Sequence, residues 1–173
     1  MKISPKLIII RGPSGAGKSS VAKLLHMQSK RPTLLVSEDQ IRKMFNDHHR
    51  SDHKISKDLA TSIALTGLQD GYDVIFEGIL DLKTNTERFD KIFKVHPEEN
   101  YFFYLNISYD ETLRRHETRP EKAEFSAEAM KKWWDYASPL GHTSETVISE
   151  SSSLEETLRT IGRVAGLDLS KPE

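Results

Sequence analysis

Gly12 is followed, four residues on, by Gly17, Lys18 and Ser19, which satisfies the pattern GxxxxGK[ST], and the run from Gly12 to Ser20 reads GPSGAGKSS. Glycines at this spacing let a backbone curl until successive N–H groups converge, and a helix starting at the end of the loop adds its positive N-terminal potential. The expected product is a nest for the β- and γ-phosphates of a nucleoside triphosphate, built from Gly12, Pro13, Ser14, Gly15, Ala16, Gly17, Lys18, Ser19 and Ser20. Lys18 can reach the phosphoryl oxygens, and the Ser19 hydroxyl can sit on Mg²⁺. A glycine-rich turn with a solvated lysine is the competing reading. The setting argues against it, because the apolar run LIII precedes the loop and the helical pattern SSVAKLL follows it.

A second group of residues bears on what is done with such a nucleotide. In VSEDQIRKMF, Asp39 follows the apolar run TLLV, at the end of a strand where ligands bind in open α/β sheets. A carboxylate there can take the proton of an attacking hydroxyl, and Arg42, three residues on, shares its helical face and can hold an acceptor or steady the carboxylate. The competing role for Asp39 is an N-cap. Glu77 follows the run DVIF with Asp81 close behind, and a carboxylate at a solvated strand end is the bland reading of either. No NKxD guanine-reading motif occurs.

These residues resemble the P-loop kinase family, in particular its polynucleotide-kinase-like and chloramphenicol-phosphotransferase-like branches. The match rests on Gly12, Gly15, Gly17, Lys18 and Ser19, then on Asp39-x-x-Arg42. The resemblance implies ATP and Mg²⁺ as cofactors, a parallel sheet in the order 2-3-1-4-5, a metal held at Ser19, and an acidic residue after the third strand, here Glu77 with Asp81 as a second candidate, that supports the metal or the acceptor. It also implies a helical lid, about residues 110–126, whose arginines close over the triphosphate at R-x-x-x-R spacing. Arg115 and Arg119 match that spacing, with Lys18, Asp39 and Arg42 completing the catalytic set. Positioned guanidinium groups suit this task, since the migrating phosphoryl group spreads charge over three oxygens. An ordinary i,i+4 pair of Glu111 with Arg115 is the alternative for that residue, whereas Arg114 reads as surface. Relatives often contact adenine in the region that joins the last strand to the last helix, here GHTSETVISESSS.

Positioning these groups requires strands joined by crossover helices. Apolar runs recur at LIII, TLLV, DVIF, YFFYLNI and ETVIS, separated by helical patterns, which predicts an α/β three-layer P-loop NTPase fold with a five-stranded parallel sheet flanked by helices. Residues 55–71 predict a helix with Ile55, Leu59, Ile63 and Leu68 on its buried face and Gly71 at its end. The last helix is expected to start with Ser152 and Glu155 as a capping box, to bury Leu154, Leu158, Ile161 and Ala165, and to end at Gly166. The terminal DLSKPE is expected to fray. The 173 residues suit a single domain over 1–173.

Composition narrows the partners. With 25 Lys plus Arg against 26 Asp plus Glu, the chain offers little to a polynucleotide or membrane. It has no cysteine, which excludes disulfides and thiolate zinc sites. With no apolar run long enough for a membrane span or a signal peptide, a soluble, cytoplasmic protein is expected. A small hydroxylated acceptor, such as a sugar acid, nucleoside or antibiotic, is therefore the first choice. A polynucleotide 5′-hydroxyl kinase is the second, and a non-transferring nucleotide-binding module or regulatory ATPase a third. His49 and His53 have i,i+4 spacing without a third ligand, so with His48 and Arg50 they read as a polar loop that can line an acceptor pocket. Trp133 and Trp134 are adjacent, so one is expected inside and the other half-covered.

Overall fold

The structure is a computed structural model, described for residues 4–45, 54–80, 86–117, 130–131, 134, 138–139 and 144–170. Five strands, β1 (Leu7–Arg11), β2 (Thr33–Ser37), β3 (Asp73–Gly78), β4 (Asn100–Asn106) and β5 (Glu145–Ser149), form one sheet in the order β2-β3-β1-β4-β5. All four pairings are parallel. This is the order implied by the family resemblance. The central strands β1 and β3 are buried along their whole length, as expected where both faces of a parallel sheet are covered.

Among the described residues, the helices that connect and cover the strands are α1 (Lys18–Gln28), α2 (Glu38–Lys43), α3 (Lys54–Gln69), α4 (Thr86–Val95), α5 (Tyr109–Glu117) and α6 (Leu154–Val164). Because side chains alternate across a strand, Ile8 and Ile10 enter a core with α1 and α6, while Leu7 and Ile9 enter a second core with α3 and α4. The result is three layers, helices on sheet on helices. The part of the expected lid that follows α5 lies outside the described residues.

Three expectations about packing need correction. On α3 the buried residues are Ser56, Ala60, Thr61, Ala64, Gly67 and Leu68, whereas Ile55 and Leu59 are exposed and Ile63 is half-buried. Small side chains let the helix approach the sheet closely: a Cβ on Gly67 would stand 2.5 Å from Leu34 Cδ2 and 3.1 Å from Val74 Cγ2. The capping box of α6 is one residue later than read, between Ser153 and Glu156, because the Ser152 N–H is already committed to a turn on Ser149 O. Leu154 is consequently exposed, while Leu158, Ile161 and Ala165 are buried as read. The C-terminal segment does not fray through Ser170: Leu169 bridges Ser29, and the Ser170 N–H donates to Gln28 O at 2.7 Å. Gly71 ends α3 as expected, its N–H donating to Leu68 O while the Tyr72 N–H donates to Gly67 O.

Candidate active site

The loop between β1 and α1 is closed by its own backbone geometry. Gly12 (φ 150°) and Gly17 (φ 95°) hold conformations that L side chains rarely adopt, and a Cβ on Gly12 would stand 2.8 Å from the carbonyl oxygen of Leu105. Gly15 packs on Thr112 of α5, which is fully buried. Lys18, largely buried, folds back so that its Nζ donates to Pro13 O at 2.8 Å. The loop therefore wraps its lysine, and Ser19 follows it on the exposed start of α1.

The C-terminal edge of the sheet then supplies oxygen ligands. Register places Ser37 of β2 opposite Glu77 of β3, and Glu77 opposite Ile10 of β1. Glu77 is 2% exposed and accepts two hydroxyl hydrogen bonds on Oε1, from Ser19 Oγ at 3.1 Å and from Ser37 Oγ. It is thus an interior carboxylate, contrary to the solvated-strand-end reading, and it is the acidic group that meets the loop serine. Asp81 lies outside the described residues. A hydroxyl and a carboxylate this close are hard oxygen donors of the kind Mg²⁺ takes together with substrate phosphates, so Ser19 and Glu77 fit the ion. Among the described residues no group of three or more His, Asp or Glu side chains gathers elsewhere as a metal site.

The N-cap of α2 is Ser37, whose side chain accepts from the Gln40 N–H, so Asp39 is not the cap. Asp39 sits in the first turn, with Arg42 Nη2 on its Oδ1 at 2.5 Å and Lys43 Nζ on Oδ2 at 3.3 Å. Partial burial alone would raise its pKa; the hydrogen bonds and charges of Arg42 and Lys43 outweigh that and hold the carboxyl below the usual range. Asp39 and Arg42 therefore share a face and pair, as their spacing predicts. About half of the Asp39 side chain is open to solvent.

From the other side, Arg115 of α5 reaches the loop. Its Nη1 donates to Ala16 O at 3.0 Å and its Nη2 approaches Glu150 O after β5 at 3.5 Å, while its Nε holds Glu111 at 2.7 Å. The i,i+4 pair and the reach toward the phosphate loop coexist. Glu111 also takes a bidentate pair from the exposed Arg114, and these two arginines lower its pKa to about 2. Arg119, His48, His49, Arg50, His53 and Trp133 lie outside the described residues. Trp134 is half-covered, its Nε1 donating to Ile107 O at 3.0 Å and its ring edge-on to Tyr109.

Spacing in the sequence gives no sign of two further clusters, around Arg11 and around Arg88, or of Ser37. Arg11, immediately before the loop, is buried against Glu145 at 2.7 Å and donates to Leu80 O and Ser138 O. Arg88 of α4 holds Glu38 at 2.7 Å and Thr61 Oγ1 at 3.0 Å, tying α2, α3 and α4 together beside the Asp39 turn. An arginine closing an apolar strand was the one available signal for Arg11.

A family profile describing an AAA domain matches residues 7–140. No curated protein matches the chain. Among solved structures, the tunicamycin resistance protein of Deinococcus radiodurans is similar at 17% identity and TM-score 0.70, covering 97% of this chain and 99% of that one. A gluconokinase from Sinorhizobium meliloti 1021 is similar at 21% identity and TM-score 0.66, covering 94% and 95%. The Mycobacterium tuberculosis APS kinase CysC in complex with AMPPNP and APS is similar at 17% identity and TM-score 0.70, covering 94% and 98%. At these identities the likeness is one of fold. With the profile spanning most of its length, the chain belongs to the AAA domain family and carries the fold of the small P-loop kinases.

Proposed function

We propose that this protein is a Mg²⁺- and ATP-dependent phosphotransferase that moves the γ-phosphoryl group to a hydroxyl of a small molecule. The observation that carries the reading is the meeting of Ser19 and Glu77 beside the glycine loop, with Glu77 also bonded to Ser37, the cap of the helix that carries the Asp39–Arg42 pair. A nucleotide holder needs the loop alone. The paired carboxylate and arginine at the strand edge are what an acceptor hydroxyl would require.

In this reading the loop amides from Gly12 to Ser20 hold the phosphate tail, and the Lys18 ammonium turns from Pro13 O to the phosphoryl oxygens. Ser19 and Glu77 would hold Mg²⁺, which would supply positive charge against the triphosphate. Asp39 accepts a hydrogen bond from the acceptor hydroxyl and takes its proton as the new P–O bond forms and the bridging bond to ADP breaks. A carboxylate of lowered pKa suffices, since a loose transition state leaves the hydroxyl proton in place until late, and orientation is its main service. Arg42 holds Asp39 or the acceptor, and Arg115, already on the loop backbone, bears on the transferring group together with Arg119. Closure by such arginines keeps water out and limits hydrolysis.

The neutral charge balance favours a small acceptor over a nucleic-acid strand. The solved relatives include a gluconokinase and an APS kinase, which supports the same class. Salt dependence tests it: acceptor saturation should change little between low and moderate salt, whereas a strand substrate would lose affinity steeply.

A further inference from the structure

Among the described residues, Ser37 touches both halves of the site. Its hydroxyl donates to Glu77 Oε1 and accepts from the Gln40 N–H at 3.4 Å. A serine hydroxyl has one donor proton and two acceptor lone pairs, so both contacts hold at once. The same Glu77 oxygen takes the Ser19 hydroxyl. A continuous path therefore runs from the start of α1, through a carboxylate that is 2% exposed and a serine that is 5% exposed, into the first turn of α2, which carries Asp39 and Arg42. A cavity of about 210 Å³ lies against this path, lined among others by Ser19, Ser37, Gln40 and Glu77.

We infer that Ser37 is a positioning residue that couples the Ser19–Glu77 pair to the helix carrying Asp39, so that occupancy of the cation position sets the Asp39 turn. The consequence for transfer rests on the proposed function; the coupling itself does not. Buried, charge-assisted hydrogen bonds are short and direction-dependent, so a shift of the Glu77 carboxylate must be followed by the Ser37 hydroxyl. The cap fixes the hydroxyl to the α2 backbone. An N-cap with no such coupling would leave Glu77 indifferent to residue 37.

The test is Mg²⁺-dependent ADP binding by calorimetry on the whole chain, comparing wild type with Ser37→Ala, Ser37→Thr, Ser37→Asp, Glu77→Gln and the Ser37→Ala/Glu77→Gln double variant. Expected is an increase of about tenfold in the half-saturating Mg²⁺ for Ser37→Ala, the usual scale for losing a partner of a metal ligand. Ser37→Thr should restore the wild-type value, and the double variant should be no worse than the poorer single one. Ser37→Asp, an equally good cap, removes the hydroxyl donor and sets a second carboxylate against Glu77, so its half-saturating Mg²⁺ should depart from the wild-type value. Amide exchange should show α2 protected by Mg·ADP in wild type and unprotected in Ser37→Ala. Additive single effects, or Ser37→Asp matching wild type, would overturn the coupling. The readout needs no acceptor, so absence of phosphoryl transfer would overturn the proposed function and leave this result standing. ADP binding by the wild type that ignores Mg²⁺ would overturn the inference.

Discussion

Arg11 and Glu145 form an ion pair of 2.7 Å with side chains 2% and 1% exposed, joining the strand that feeds the phosphate loop to the far edge of the sheet. Arg11 shares the alternation of Leu7 and Ile9, so the pair lies on the face opposite Glu77. Its other donors go to Leu80 O and Ser138 O, and its guanidinium stands 5.1 Å from the centre of the Tyr104 ring. Removing one partner leaves a buried charge uncompensated. Glu145→Gln or Arg11→Met should cost about 3–5 kcal/mol in urea unfolding, and the double replacement should cost less than the sum of the two. Additive losses would contradict the pairing.

The loop and the carboxylate are expected to separate binding from chemistry. Lys18→Ala should weaken both ATP binding and transfer. Asp39→Asn should leave ATP affinity within about twofold and lower transfer by about 10²–10⁴. Binding measured by calorimetry beside transfer from labelled ATP distinguishes the two, and an Asp39→Asn variant as fast as wild type would remove the base from the scheme.

The acid titration of the site follows from Glu111 and Asp39. Hydrogen bonds from Arg114 and Arg115 hold Glu111 at about 2; at Asp39 the pull of Arg42 and Lys43 exceeds the opposing effect of burial. Groups depressed in the folded state contribute stability that is complete above their unfolded values, near about 4, and lost as pH falls through the folded ones. Their contribution should thus be flat from about pH 5 upward and vanish on acidification, which urea midpoints against pH will show. The same depression places any acid limb of kcat/KM due to Asp39 below about pH 4. A limb near neutrality that disappears in Asp39→Asn would contradict it.

Close approach of α3 to the sheet makes Gly67 sensitive to size. Alanine gains up to about 1 kcal/mol in helix propensity, against about 1–3 kcal/mol for pressing a methyl on Leu34 and the buried Val74. Gly67→Ala should be destabilised by about 1 kcal/mol in urea and Gly67→Val by more. A stabilised alanine variant would contradict the packing.

Much of this was legible in advance because it is local. The apolar runs mark strands buried on both faces, and GPSGAGKSS carries its own geometry within nine residues. Asp39 and Arg42 meet because three residues on a helix is one turn. Ser37, Arg11 and the Glu38–Arg88 tie escaped notice because strand register or helix packing creates them, and a serine or arginine at a strand end has no spacing to betray it. On α3 hydrophobicity favours Ile55 and Leu59 as the buried face, while the close approach to the sheet selects Ala60, Ala64 and Gly67. In SSSLEE two frames satisfy a capping box, and only the turn after β5 decides between them.

Phosphoryl transfer to a small hydroxylated acceptor is tested most directly by mass spectrometry. The protein is incubated with ATP and Mg²⁺ in the presence of hydroxylated metabolites, nucleosides, antibiotics and short oligonucleotides. One small acceptor should become heavier by a single phosphoryl group with wild type and not with Asp39→Asn. Phosphate release with no phosphorylated product, or a phosphorylated oligonucleotide alone, would contradict it.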